Sequence, residues 1–454
     1  MPRTWKRLCL AVALALVASI AAADDPKKPT QTLVKNVYVF DGVREQRIEN
    51  ASVLVEGNLI KKVSAGVIDA PGASVIDGGG RTLVPGLTDS HVHIMWSSDI
   101  DQLIYSAPEG YLGAVAAVNA ERMLMRGFTT VRDMGGPSFG LKKAIDEGIV
   151  PGPRILPSGA FVSQSSGHGD FEPRLWYLSP HFTGQLDKAY LRGWTTIADG
   201  VAEVMKATRE NLRYGASQIK IMGSGSITGA HDPLDVTEYT YDELRAIVTE
   251  TEKWGTYATV HCYSDEGIRN ALNAGVKSVE HALFATKKTL RLMKKKDVFF
   301  SSQWLSFTVD PAVSGMTGEA LEKYKQAQAS AKNAFNLAKK LGLKISWGTD
   351  ILGMAQKPLD LSAMQSQEFV ARSKYFTGYE IMKQTTSLNA ELFERSRKRH
   401  PYREGKLGVI EEGAYADLLI VDGNPLEDIS LLAKPDESLV FIMKDGTIYK
   451  NNLN

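Results

Sequence analysis

The chain has 454 residues, enough for one large catalytic domain and a smaller companion. Hydrophobic residues make up 43% and charged residues 23%, a balance that excludes the disordered, collagen-like and coiled-coil classes. The formal net charge of +1 gives no basis for a nucleic-acid or membrane-surface partner.

The first 23 residues differ from the rest of the chain. Three basic residues are followed by an uncharged apolar run over 8–20 and by three alanines over 21–23. This order predicts a secretory signal peptide over residues 1–23 and an exported protein, periplasmic or secreted. The apolar run is short for a span of about 20 residues, which disfavours a membrane anchor. After cleavage Cys262 is the single cysteine, so we expect no intramolecular disulfide and interpret Cys262 as a small packed residue.

Short apolar runs separated by glycines follow the signal peptide. They lie at 33–34, 37–40, 52–55 and 60–63 and predict a small antiparallel β unit. The same rhythm returns after residue 405. We therefore predict a flanking β-sandwich domain built from both chain ends, with its two parts at 24–82 and 396–454.

Between these parts, over residues 83–395, short β-rich runs alternate with longer helical stretches. Eight strands in this region predict a (β/α)8 barrel of the TIM type. An open doubly wound sheet is disfavoured because no glycine-rich turn follows the first strand. The predicted strands are 83–84 leading to His91, 129–132, 154–157, 218–222, 257–261, 278–281, 298–302 and 344–347.

A long segment without periodicity interrupts the barrel at 161–194. It is rich in glycine, serine, proline and aromatic residues. Because loops of this length inside a compact domain are usually functional, we interpret the segment as a lid or substrate wall. Its aromatic residues include Phe171, Trp176, Tyr177 and Phe182.

Two histidines, His91 and His93, are separated by one residue in a strand and therefore point to the same face. Converging imidazoles suit a divalent metal. Three further groups follow or end predicted barrel strands, namely His261, His281 and Asp350. Catalytic groups of such barrels lie at the carboxyl ends of the strands, so these five residues predict a metal site.

Lys220 lies inside the apolar strand at 218–222. A buried ammonium is costly unless it is paired, so one interpretation is a lysine that points outward or pairs with a carboxylate. The other is that the amine takes up carbon dioxide and becomes a carbamate, whose two oxygens bridge two cations.

Seven short motifs together resemble the amidohydrolase superfamily, and the resemblance covers nearly the whole chain after the signal peptide. The branch to which the chain is most similar contains imidazolonepropionase-like enzymes, Xaa-Pro dipeptidases (prolidases) and carboxypeptidase-like enzymes, including ochratoxin-hydrolysing amidohydrolases. The motifs are TLVPGLTDSHVH over 82–93, TTVRDMGG over 129–136, IKIM over 219–222, VH over 260–261, VEH over 279–281, GTD over 348–350 and KLGVIEEGAYADLLIV over 406–421.

The resemblance implies a binuclear centre, often of zinc, and a homo-oligomer. It places one metal ion with His91, His93 and Asp350 and a second with His261 and His281. Carboxylated Lys220 and a hydroxide would bridge the two ions. In the implied mechanism Asp350 takes a proton from the nucleophile and passes it to the leaving amine.

The resemblance also marks His168 and Tyr263 as catalytic and substrate-binding residues near the scissile carbonyl or the substrate carboxylate. Arg132 is a possible carboxylate clamp, with a structural ion pair, to Asp133 or another acid, as the alternative. The remaining histidines match no motif and are interpreted as surface or loop residues: His181, His231 and His400.

These features predict hydrolysis of an amide bond in N-acyl amino acids or dipeptides with a free carboxylate, including ochratoxin A. A lactonase or cyclic amide hydrolase on the same scaffold is the first alternative, because loops choose the substrate. A non-catalytic metal- or ligand-binding protein is a more distant one, disfavoured by the complete ligand set.

Overall fold

A computed structural model describes residues 30–171, 184, 186–229, 232–308, 310–311, 316–352 and 361–453. The predicted signal peptide at 1–23 lies outside these ranges, as do residues 172–183 and 185 of the segment at 161–194. Among the described residues, no helix combines the length and apolarity needed to cross a bilayer.

The described strands and helices alternate through the middle of the chain, as the sequence predicts. The strands are β1 (Gln31–Val39), β2 (Ile48–Glu56), β3 (Leu59–Ala65), β4 (Ser74–Pro85), β5 (Leu87–His93), β6 (Phe128–Asp133), β7 (Arg154–Pro157), β8 (Phe161–Ser163), β9 (Thr195–Ile197), β10 (Ile219–Met222), β11 (Ala258–Cys262), β12 (Ser278–His281), β13 (Phe299–Ser302), β14 (Ile345–Trp347), β15 (Ile351–Leu352), β16 (Leu418–Val421), β17 (Leu439–Lys444) and β18 (Thr447–Asn451). The α-helices are α1 (Glu109–Met125), α2 (Phe139–Asp146), α3 (Lys188–Leu191), α4 (Val201–Tyr214), α5 (Tyr241–Trp254), α6 (Asp265–Ala274), α7 (Lys287–Lys295), α8 (Gly318–Leu341), α9 (Leu361–Ser373), α10 (Gly378–Lys383), α11 (Asn389–Phe393) and α12 (Pro435–Ser438).

Eight parallel strands form the barrel: β5, β6, β7, β10, β11, β12, β13 and β14. At the seam between β7 and β10, Ser217 N donates to Pro157 O over 2.7 Å. At the seam between β14 and β5, Asp350 N donates to His91 O over 2.8 Å. The barrel strands are buried throughout, as expected for a parallel sheet that is covered on both faces. The predicted barrel fold is confirmed.

The first predicted barrel strand was wrong at its start. Leu83 and Val84 belong to β4, which pairs with β1 and β16 in the flanking sheet and continues past the predicted boundary at 82/83. The barrel strand β5 begins only after Gly86. A Cβ atom at Gly86 would lie 2.1 Å from Thr129 Oγ1, so the chain passes this point only because the residue is glycine.

The flanking domain is a seven-stranded sheet among the described residues, in the order β18-β17-β16-β4-β1-β2-β3. Both chain ends contribute to it, as predicted. Its apolar face encloses a core that is separate from the barrel core and includes Val34, Val53, Leu83, Ile420 and Phe441.

Arg154, at the start of β7, ties the barrel to the flanking sheet. Its buried guanidinium pairs with Asp417 and with Asp445 Oδ1, 2.6 Å from Nη2, and lies 4.1 Å from the Tyr415 ring centroid. Arg154→Met should lower the free energy of unfolding by about 3–5 kcal/mol, because it leaves the buried Asp417 without its partner. Urea denaturation measures the loss, with the exposed Arg213→Met as control. A loss below about 1 kcal/mol would show that the contact is dispensable.

Candidate active site

His91, His93 and Asp350 form a compact cluster at the carboxyl end of the barrel. Nε2 of each histidine lies 3.2 Å from Asp350 Oδ1. One ligand atom from each residue falls within 4.8 Å of the others, and both histidines are buried. The cluster forms because His91 and His93 share one face of β5 and Asp350 follows β14, the strand beside it.

His261 and His281 lie next to this cluster, at the ends of β11 and β12. Their ring centroids are 4.7 Å apart, and the His281 ring is 5.2 Å from that of His91. Nδ1 of His281 lies 3.9 Å from Asp350 Oδ2. The structure therefore brings all five metal-competent groups named from the sequence to one end of the barrel.

Lys220, on β10, is 1% exposed. Within the described part of the chain its ammonium has no hydrogen-bond or ion-pair partner. Burial lowers its pKa to about 8, although the carboxylates of Glu280 and Asp350 act in the opposite direction. The side chain does not point outward, so the first interpretation made from the sequence is not supported.

The protonation states suit a cation. Burial lowers the pKa of His281 to about 3 and that of His261 well below its ordinary value, so both rings are neutral at pH 7. Burial acts to raise the pKa of Asp350, but His91 and His93 hold it well below its ordinary range.

Two of these residues have strained backbones. His281 has a φ of 69° and Asp350 a φ of 56°, in the left-handed region that ordinary residues rarely adopt. Such strain persists only where the surrounding structure enforces it, and it clusters at functional sites. Both side chains turn toward the cluster at these kinks.

Glu280 is a site residue that the sequence analysis missed. Its fully buried carboxylate accepts from Arg132 Nη2 over 2.9 Å and lies 2.8 Å from His91 Nδ1. The hydroxyls of Thr259 and Ser278 also donate to it. Burial acts to raise the pKa of Glu280, but Arg132 and His91 hold it well below its usual range. Its position beside His281 in the VEH motif was the available signal.

Glu280→Ala should lower the free energy of unfolding by about 3–5 kcal/mol, because the change leaves the Arg132 guanidinium buried and unpaired. Chemical denaturation of the metal-free protein measures this loss. The control, Glu252→Ala, removes a half-exposed partner of Arg245 and should cost less than about 1 kcal/mol. Equal losses for the two variants would contradict the importance of the buried pair.

Gln303 is a second missed residue. It follows β13, and its Oε1 lies 2.7 Å from His281 Nδ1. Asp89, before the first histidine, accepts from His91 N and from the Thr349 hydroxyl. These residues position His281, His91 and the backbone before Asp350 through hydrogen bonds. Their nearness in the sequence to strand ends or to a candidate ligand was the only sequence signal.

His168 and Tyr263 both pack against His261, next to the cluster. The His168 ring stacks on His261 with centroids 4.6 Å apart, and the Tyr263 ring lies 4.7 Å from His261. The His168 backbone N–H donates to Glu238 over 2.8 Å, which fixes the turn. Burial raises the pKa of Tyr263, so its hydroxyl remains a hydrogen-bond donor.

Arg132 does not face the site as a carboxylate clamp. It is fully buried, and its guanidinium contacts Ser90 O, the Tyr257 hydroxyl and Glu280. The geometry favours the structural ion pair, with Glu280 and not Asp133 as the acid. His400 lies outside any helix or strand, as the loop interpretation has it, but it is buried at 3% exposed, which contradicts the surface alternative. His181 and His231 lie outside the described residues.

An aromatic wall stands beside His93. The Trp96 ring stacks on His93 at 5.1 Å, and Phe161 and Phe171 each lie within 6 Å of Trp96. Phe171 comes from the segment interpreted as a substrate wall. Trp176, Tyr177 and Phe182 of that segment lie outside the described residues.

The chemistry of this cluster fits divalent metal ions. Four neutral or carboxylate-paired imidazoles, one carboxylate and one modifiable amine converge. Within the described part of the chain, the buried Nε2 of His91 has no hydrogen-bond partner, although Asp350 stands beside it. A metal ion would satisfy this nitrogen and offset the crowding of polar groups.

Comparison with known proteins identifies the class that this fold and site define. The amidohydrolase family profile matches residues 82–450, and the chain belongs to that family. It is 30% identical over 378 residues to an ochratoxinase of Aspergillus niger, covering 81% of this chain and 75% of the relative. The resemblance found in the sequence is confirmed, and the protein is a hydrolase.

Two solved structures are also similar over almost the whole chain. A prolidase complexed with N-methylphosphonate-L-proline has 34% sequence identity and a TM-score of 0.84, covering 93% of this chain and 100% of the other. A Xaa-Pro dipeptidase with methionine bound in its active site has 27% identity and a TM-score of 0.79, with the same coverage.

Proposed function

We propose that the protein is a binuclear metal-dependent hydrolase of N-acyl amino acids or dipeptides with a free carboxylate, and that ochratoxin A is among its substrates. The observation that carries the proposal is the convergence of His91, His93 and Asp350 within 4.8 Å, with His261, His281 and the buried Lys220 alongside. The relatives support this substrate class, because they include an ochratoxinase, a prolidase and a Xaa-Pro dipeptidase.

His91, His93 and Asp350 would hold one ion and His261 and His281 the other, with Lys220 between them as a carbamate. When bound, the ions, which we expect to be zinc, lower the pKa of a shared water and polarise the scissile carbonyl. Proton transfer and substrate binding are carried out by the side chains of the protein.

Asp350 is the proton carrier in this proposal. Its carboxylate is ionised and, at 29% side-chain exposure, is the most accessible of the charged groups in the cluster. It accepts the proton of the attacking water and delivers it to the leaving amine. His168 and Tyr263 lie over the same space and donate hydrogen bonds to the substrate carbonyl or carboxylate.

The aromatic wall determines the preferred acyl group. Trp96 and Phe161 are buried beside His93, and the partly buried Phe171 packs against both, an aromatic environment that favours a planar or bulky apolar group. Ochratoxin A, an amide of phenylalanine with an aromatic acid, has that character.

A library of dipeptides, N-acyl amino acids, lactones and cyclic amides, with ochratoxin A included, tests the substrate class. We expect release of free amino acids from the first two groups and of phenylalanine from ochratoxin A. Turnover confined to lactones or cyclic amides would favour the alternative specificity. No turnover of any member by metal-loaded protein would favour a binding protein.

Export and assembly are also part of the proposal. Residues 1–23 have the order of a secretory signal, so the mature protein would be periplasmic or secreted. We expect it to form a homo-oligomer. Sequencing the N-terminus of the exported protein and measuring its mass in solution test these two points.

A further inference from the structure

Each candidate histidine ligand makes a hydrogen bond through one of its two ring nitrogens. The backbone supplies two of the partners, Gly135 O at 3.3 Å from His93 Nδ1 and Gly225 O at 3.3 Å from His261 Nε2. Side chains supply the other two. An acceptor on one ring nitrogen holds the proton there and leaves the other nitrogen free for a cation.

The two side-chain acceptors differ in charge. His91 is backed by the Glu280 carboxylate, whose ionised form is stabilised by Arg132 and two hydroxyls. His281 is backed by Gln303, a neutral amide that is fully buried. Gln303 Nε2 faces the carbonyl and hydroxyl of Ser301 at 3.4 and 3.3 Å, which fixes Oε1 toward His281.

We propose that Gln303 sets the affinity of the second metal position and makes the two positions unequal. The His91–His93–Asp350 position holds its ion tightly, and the His261–His281 position exchanges its ion readily. This inference rests on the binuclear site proposed above and adds Gln303 and Glu280 as positioning residues.

The charge difference provides the physical reason. An anionic acceptor makes the histidine it contacts a stronger electron donor, and outer partners of this kind change metal affinity by about 10- to 100-fold. The Asp350 carboxylate also lies closer to the first position, 3.2 Å from Nε2 of His91 and of His93 against 3.9 Å from Nδ1 of His281. No side-chain carboxylate among the described residues forms a hydrogen bond with the ring of His261.

Zinc binding to the full mature chain tests the inference without any assay of activity. The protein is equilibrated with a graded series of zinc buffers, and bound zinc per chain is measured by mass spectrometry, together with the thermal midpoint. We expect two binding steps separated by at least about 10-fold in free zinc. Gln303→Glu should move the weaker step to about 10- to 100-fold lower free zinc, and Gln303→Leu should move it as far in the other direction.

Gln384→Met is the matched control. Gln384 is a buried glutamine whose side chain accepts from Arg372 and contacts no histidine in the described part of the chain, so neither zinc step should move. If Gln303→Glu does not fold, the shift of the weaker zinc-binding step to higher free zinc in Gln303→Leu tests the inference by itself.

Two results would overturn the inference in distinguishable ways. In the first, the wild type binds two zinc ions, but the folded Gln303 variants leave the weaker step unmoved or move the tighter step. This result would contradict only the role of Gln303. A wild-type protein that binds no more than one zinc ion would contradict the proposed binuclear function itself, and the inference with it.

Discussion

Asp350→Asn should lower kcat by about 10³- to 10⁴-fold, the upper range for loss of general acid–base catalysis. The carboxylate stands 3.2 Å from both His91 and His93, and its pKa is held well below its ordinary range, so it is ionised at neutral pH. Asparagine keeps the shape and one oxygen but cannot carry the proton. Steady-state kinetics on a substrate from the library measure the effect.

Metal content separates the two roles of Asp350. If the variant keeps two zinc ions per chain and still loses activity, the loss belongs to proton transfer. Asp242→Asn, at an exposed first-turn position of α5, should leave kcat within about twofold of wild type. Full activity of zinc-loaded Asp350→Asn would remove Asp350 from the mechanism.

Lys220→Met should abolish binuclear metal binding and lower activity by about 10³-fold or more, equivalent to about 4 kcal/mol of transition-state stabilisation. The metal-free variant should be no less stable than metal-free wild type. Methionine fills a similar volume without the buried ammonium, for which the described residues offer no partner. Loss of activity without loss of stability in Lys220→Met would show that Lys220 serves the chemistry of the site and not the stability of the fold.

Carbon-13 NMR of protein equilibrated with labelled bicarbonate tests the modification directly. We expect one protected carbamate resonance in wild type, absent from Lys220→Met and present in Lys206→Met, which changes an exposed lysine on α4. Retention of both metals and of activity by Lys220→Met would refute the bridging role.

Much of the site was predictable because barrel geometry places its groups by rule. The two-residue spacing of His91 and His93 places both on one face of their strand. The other three groups, His261, His281 and Asp350, lie at strand ends and therefore at the same end of the barrel. Lys220 was conspicuous because a charge interrupts an apolar strand. These signals are local in the sequence, and the structure brings the residues together.

The supporting residues were not predictable for a physical reason. Glu280 is next to His281 in β12, and regular strand alternation would turn the two side chains to opposite faces. The left-handed backbone at His281 breaks that alternation, so both contribute to the same site. Gln303 and Arg132 act through hydrogen bonds to residues far away in the chain, which a single sequence does not reveal.

The start of the barrel was mispredicted for a related reason. Leu83 and Val84 are apolar and precede His91 closely, so they read as part of the same strand. The break lies at Pro85 and Gly86, where the chain leaves the flanking sheet and passes against Thr129. Which sheet an apolar run joins depends on its partners, β1 and β16, and the latter lies more than 300 residues further along the chain.

Zinc titration of metal-free protein, with amide hydrolysis and bound zinc followed on the same sample, tests the central claim most directly. The substrate is ochratoxin A or an N-acyl amino acid from the library. The account predicts no hydrolysis without metal and full activity only as the second equivalent of zinc binds. Undiminished hydrolysis by protein that is shown to contain no metal would contradict it.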